Sequence, residues 1–91
     1  MIGNVPRVNQ KRYIFKGDKM KISYDSEIDA LYIRLVEGNH ECRNLQLNDE
    51  ITLNLGNNDL LVGIEILDAK DVLGTGNVPQ VILDNIPFQV A

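Results

Sequence analysis

From Met20 onward, apolar and polar positions alternate with a period of two. Ile22 and Tyr24 alternate with Lys21, Ser23 and Asp25; Leu31, Ile33 and Leu35 alternate with Tyr32 and Arg34; Ile51, Leu53 and Leu55 alternate with Thr52 and Asn54. Successive side chains of a strand point to opposite faces, so each set occupies one face, and half-buried strands of an antiparallel sheet are predicted. Leu45 and Leu47 mark a further strand among them. Residues 60–67 depart from alternation, because Leu60, Leu61, Val62, Ile64, Ile66 and Leu67 are apolar on both faces, which predicts the central strand. Gly63 lies in its middle and contributes no packing, so either a bulge or the close passage of a neighbouring side chain such as Tyr32 is expected there.

The connections are punctuated by Asp25 to Asp29, Glu37-Gly38-Asn39, Asn48-Asp49-Glu50 and Gly56-Asn57-Asn58-Asp59. Gly and Asn tolerate positive φ, and Asx side chains bond their own backbone, so each cluster can reverse the chain. After the central strand the pattern changes to a helix start. Asp68 is placed to cap the amides of Lys70 and Asp71, Asp71 adds favourable charge in the first turn, and Gly74 stops a helix of one to two turns. Beyond Pro79, Val81-Ile82-Leu83 and Phe88-Gln89-Val90 are apolar again, and Pro87 limits the last segment to an edge strand or an extended arm. The fold class is therefore mainly β within α+β: an antiparallel β-meander sheet of about five or six strands, with one short helix near 69–73.

The run Met20-Lys21-Ile22-Ser23-Tyr24-Asp25, the segment Asp29-Ala30-Leu31-Tyr32-Ile33-Arg34-Leu35, and Leu61-Val62-Gly63-Ile64-Glu65-Ile66-Leu67-Asp68-Ala69 resemble the YuzE-type family, small bacterial DUF2283-like domains of unknown function. The resemblance covers about residues 20–73. It implies a compact antiparallel β-domain of prokaryotic or mobile-element origin with no established activity. Some members are similar in gene setting to antitoxins.

With 91 residues the chain has room for one domain, and a domain this small buries only roughly 60% of the surface its unfolded chain exposes, which makes a symmetric partner attractive. Charge divides the chain at the start of the alternating pattern. Residues 1–19 carry five basic side chains against Asp18, a balance of +4, whereas residues 20–91 carry four against twelve acids, a balance of −8. We read 1–19 as a basic extension, with Arg12-Tyr13-Ile14-Phe15 as a candidate edge strand, and 20–91 as the β-domain. An acidic core repels phosphate backbones, so contact with nucleic acid is expected only through the basic tail. The first fifteen residues hold no signal-peptide core, no stretch is apolar enough to span a bilayer, and the lone Cys42 cannot form an internal disulfide; a cytoplasmic protein is the expectation.

Candidate chemistry is sparse. Asp25, Glu27 and Asp29 have the first spacings of a calcium loop, but Ala30 stands where the turn needs Gly and Val36 where a bidentate Glu is needed. His40, in an expected hairpin turn, and Cys42 supply too few ligands for zinc, and no motif sets a nucleophile beside the lone imidazole. No glycine-rich phosphate loop or dinucleotide fingerprint is present. Neither cofactor nor metal is expected, and the balance leans away from an enzyme. Glu65 stands out as a carboxylate within the central strand, sharing a side with Leu61, Gly63 and Leu67; it is expected to be buried and to meet the guanidinium of Arg34. Tyr24, Asp25, Asp29, Tyr32, Arg34, Glu65 and Asp68 form the set of ligand or interface candidates. The leading expectation is a small interaction module, a homodimer or the antitoxin-like acidic partner of a basic protein. A small-ligand-binding domain using Arg34, Glu65 and the tyrosines is the alternative.

Overall fold

In the computed structural model, which describes residues 19–74 and 76–90, the alternating segments become strands of one antiparallel sheet, with one short α-helix and a 3-10 turn at Asn57–Asp59. The strands are β1 (Lys21–Asp25), β2 (Ala30–Arg34), β3 (Arg43–Gln46), β4 (Ile51–Leu55) and β5 (Leu61–Ile66), followed by α1 (Ala69–Val72). Their order across the sheet is β1-β2-β5-β4-β3. β3, β4 and β5 follow one another as a meander, and β1 and β2 form a hairpin, but the β2–β3 connection crosses to the far edge. The segment apolar on both faces thus takes the centre. His40 sits in that crossing connection rather than in a tight hairpin, because β2 and β3 are not neighbours.

The pairing aligns side chains into rows. Ile22, Ile33, Ile64, Leu53 and Leu45 face one another strand by strand, one apolar row across all five strands. Beside it run Tyr24, Leu31, Ile66 and Ile51. The opposite face carries Ser23, Tyr32, Glu65, Thr52 and Gln46, and next to them Lys21, Arg34, Gly63, Asn54 and Asn44. One face is apolar and the other polar, as a sheet solvated on one side requires.

Both reasons foreseen for Gly63 are present. The β4–β5 register shifts between Asn54 and Leu55, so that Val62 is the extra residue of a bulge. A Cβ on Gly63 would also stand 2.7 Å from Tyr32 Cζ and 2.9 Å from Asn54 Oδ1. The tyrosine ring lies over the glycine, and only a residue without a side chain leaves it room.

The core is small. Among the described residues, Leu31, Leu55, Val62, Ile66 and Ala69 are the buried apolar ones. Ala69 brings α1 onto Leu31 and Ile66, with Tyr24, Ile33, Ile51, Ile64 and Val72 packed around them. At the other end, Gly56 closes over Val62, whose Cγ2 would lie 3.2 Å from a Cβ on that glycine. The row between these two ends is left half-covered.

Two expectations are corrected here. Asp68 is the residue before α1, but its side chain makes no capping bond, since its backbone lies in the left-handed region at φ 56°. Nor does the C-terminal run join the sheet: residues 76–90 contain no strand. Val81 and Leu83 stay about half exposed, and Ile82, Phe88 and Val90 more so. The candidate strand at Arg12–Phe15 lies outside the described residues.

Candidate functional site

The polar face is built around Tyr32. Its hydroxyl donates to Asn54 Oδ1 over 2.9 Å, and Asn54 Nδ2 donates in turn to Asn44 Oδ1 at 2.9 Å, so one chain of bonds ties β2 to β4 and β3 across Gly63. The aromatic is flattened against the sheet because the glycine beneath it offers no Cβ. Arg34 shares this face, but its guanidinium turns to the end of its own strand, where Nε donates to the Val36 carbonyl at 2.7 Å and Nη2 to the Gly38 carbonyl. It thereby fixes the start of the β2–β3 crossing.

Glu65 is exposed, opposite Tyr32 on one side and Thr52 on the other. The expected buried Glu65–Arg34 pair does not form. Glu65 is exposed on a face it shares with hydroxyls and amides, and Arg34 turns its Nε and Nη2 to backbone oxygens instead. Among the described residues the salt bridge is Arg43–Asp59, at 2.7 Å between exposed side chains, a type that contributes little.

A second cluster forms where the β1–β2 turn meets α1. Asp29 adopts φ 52°, the left-handed region that Asp tolerates better than most residues. That geometry directs its carboxylate at the helix start: both oxygens accept from the Lys70 amide at 3.2 Å, and its own carbonyl accepts from Ala69 N at 3.0 Å. Asp29 therefore does the work that the sequence assigned to Asp68. Tyr24 Oη donates to Asp29 Oδ1 at 2.7 Å. This bond, followed by desolvation and the negative charges of Asp29 and Asp25, raises the Tyr24 hydroxyl above the usual phenol value. Asp25 shapes the turn itself, its Oδ1 accepting from the Glu27 amide at 3.0 Å.

The seven candidates thus divide. Tyr24, Asp25 and Asp29 gather at one end with the helix start, Tyr32, Arg34 and Glu65 lie along the polar face, and Asp68 is exposed beside α1. A groove of about 500 Å³ is lined by Leu73, Asn77, Val78, Pro79 and Gln80, none of them a candidate. His40 Nε2 lies 2.8 Å from the Glu37 carbonyl, and Cys42 Sγ donates to the His40 carbonyl at 3.4 Å, so both side chains serve the local backbone.

What reasoning by residue type missed is the apolar row Ile22–Ile33–Ile64–Leu53–Leu45. None of its members is buried, Ile22 is 39% exposed and Leu45 42%, and the row spans roughly 19 Å at the usual strand spacing. The signal for it was present in the alternation, but only the register shows that these residues of five strands share one line.

No helix among the described residues is long and apolar enough to cross a membrane. Comparison with protein families finds one model, described as "Protein of unknown function (DUF2283)", matching residues 21–70. No curated protein and no solved structure matches the chain.

Proposed function

The chain belongs to the DUF2283 family of proteins of unknown function, and we propose that its domain is a protein-interaction module that pairs with a second copy of itself through the apolar sheet face. The observation that carries this reading is the in-register row from Ile22 to Leu45, whose two ends stay 39% and 42% exposed and whose middle, Ile33, Ile64 and Leu53, is only partly covered within the chain. Two such faces pack about 10 Å apart as the layers of a β-sandwich, each burying the other's row. The same patch then serves both copies, as a two-fold interface requires.

Charge does not oppose this pairing. The described residues carry five basic side chains, Lys19, Lys21, Arg34, Arg43 and Lys70, against twelve acids, a balance of −7. None of the row residues is charged, and the charges of Lys21, Arg34 and Glu65 lie on the opposite face, beyond most of the screening length of roughly 8–10 Å. The acidic surface left outside the dimer complements a basic protein, the class of further partner its charge supports.

Light scattering on the full chain at high micromolar concentration tests the reading, with a dimeric mass expected. Leu45→Asp places a carboxylate in the row at a position already partly exposed, so the fold tolerates it while the interface does not. The expected result is a monomeric mass with an unchanged circular dichroism spectrum. A monomeric mass for the unsubstituted chain, or an undiminished dimer for Leu45→Asp, would overturn the proposal.

A further inference from the structure

We infer that the C-terminal arm, residues 86–90, is the sixth strand of the sheet in the dimer, added in antiparallel fashion to the edge of β1 that is unpaired among the described residues, in the second copy. This rests on the self-association proposed above and names the segment that completes it.

The hydrogen-bond phase of the sheet selects the edge. Leu35 N donates to Val62 O at 2.7 Å, so the odd residues of β2 bond β5. Bonded and non-bonded pairs alternate along antiparallel strands, hence Tyr32 and Arg34 bond Ser23 and Lys21 of β1. The amides and carbonyls of Ile22 and Tyr24 are therefore the ones that face outward. At the other edge, Leu47 N donates to Ile51 O at 2.8 Å, which leaves Asn44 and Gln46 facing outward from β3. The two edges differ in kind: the outward residues of β1 have their side chains on the apolar face, and those of β3 on the polar face.

The arm fits one of these edges and not the other. Ile86, Phe88 and Val90 recur every second residue, so in an extended strand their side chains share one face and their backbone groups share one side. Pro87 and Gln89 occupy the other face and the other side. Against β1, the arm directs the amides of Ile86, Phe88 and Val90 at Ile22 and Tyr24, adds three apolar side chains to the apolar face, and turns Pro87, which has no amide proton, to the new outer edge. Proline is tolerated at an outer edge, where it also blocks further strand addition. Against β3, the same face requirement would aim Pro87 at the strand it must bond.

The occupant is a second copy because the arm is not on its own sheet. Every residue from Gln80 to Val90 is exposed, with Ile86 at 52%, Phe88 at 72% and Val90 at 86%. Asn85, at φ 62°, bends the chain just before the run. The twelve Cα–Cα steps from Gly74 to Ile86 can span about 40 Å, twice the width of the sheet, enough to reach a neighbour.

Hydrogen exchange on the full chain at low and high concentration, with paired proline variants, tests this. The amides of Ile22 and Tyr24 are expected to be protected only at concentrations where the dimer forms. Phe88→Pro removes an inward-facing amide and should weaken dimerisation about tenfold or more. Gln89→Pro removes an outward-facing one and should leave it unchanged, while Phe88→Leu separates loss of the ring from loss of the amide. A dimer in which Ile22 and Tyr24 exchange as fast as in the monomer, with both proline variants pairing normally, overturns the arm and leaves the face-to-face pairing standing. Protection that does not depend on concentration means the edge is covered within one chain, which also overturns it. A chain that stays monomeric throughout removes both this inference and the reading beneath it.

Discussion

Replacing Gly63 by Ala adds one methyl group where the sheet has no room for it. The new Cβ would stand 2.7 Å from Tyr32 Cζ and 2.9 Å from Asn54 Oδ1, inside the 3.5–4.0 Å at which carbon atoms pack. Backbone on both sides is held by β2 and β4, so the tyrosine ring must lift. Lifting it breaks the Tyr32–Asn54 hydrogen bond and loosens the Asn54–Asn44 bond that depends on it. Overpacking of this kind costs about 1–3 kcal/mol, and the lost bond about 1 kcal/mol more. Against this stands a gain of roughly 0.5–1 kcal/mol from removing a flexible glycine from a strand. The net expectation is a loss of about 2 kcal/mol, or a fall in Tm of roughly 8–16 °C for a domain of this size. Thermal unfolding followed by circular dichroism at one protein concentration measures it, since self-association would otherwise shift the midpoint. The companion measurement is a double-mutant cycle with Tyr32→Ala. Once the ring is gone, Gly63→Ala should become neutral or slightly stabilising, giving a coupling of about 2 kcal/mol. If Gly63→Ala is harmless in the unsubstituted protein, or equally harmful without the ring, the close approach of Tyr32 is not what the glycine serves.

Two further outcomes follow from the cluster around Asp29. Asp29→Ala removes the acceptor for the Lys70 amide and for Tyr24, and leaves alanine in the left-handed region; a loss of about 2–3 kcal/mol is expected in denaturant unfolding, whereas Asp68→Asn, which loses no capping bond and keeps a residue that tolerates the left-handed region at φ 56°, should fall within about 0.5 kcal/mol of the parent. For Tyr24, the folded state holds the phenolic proton more tightly than the unfolded chain, so its contribution is fully present below the ordinary tyrosine pKa of about 10 and is lost as pH rises through the higher folded value. Stability measured across that alkaline range should therefore decline more steeply for the parent than for Tyr24→Phe, and parallel profiles would contradict the Tyr24–Asp29 bond.

The two correct expectations about residues 60–67 share a local cause. A segment apolar on both sides has to lie at the centre of a sheet, and β5 does; a glycine in its middle has to be explained by a bulge or by a close neighbour, and both are found. The family resemblance was legible in the same segments and is matched over residues 21–70. The misplaced readings all concern partners. Asp68 has the right sequence position for a cap, yet Asp29, 41 residues from Lys70, supplies the bond. Spacing along the chain cannot show that the β1–β2 turn lies against the helix start. Glu65 was placed with Leu61 and Leu67 because they share its parity along β5, but the polarity of its surroundings comes from Tyr32 and Thr52 on the adjoining strands.

The order of apolar and polar residues by itself determined which segments are strands, which face of each is apolar, and where the chain turns, because these follow from a period of two and from local backbone preferences. It also identified β5 as central. Only the tertiary structure decided the crossing from β2 to β3, the register that lines Ile22, Ile33, Ile64, Leu53 and Leu45 into one row, and the capping of α1 by Asp29. The hydrogen-bond phase that makes the β1 edge differ from the β3 edge belongs with these. Each depends on which strand lies beside which, a choice set by contacts between residues distant in the chain, whereas periodicity constrains only residues near one another.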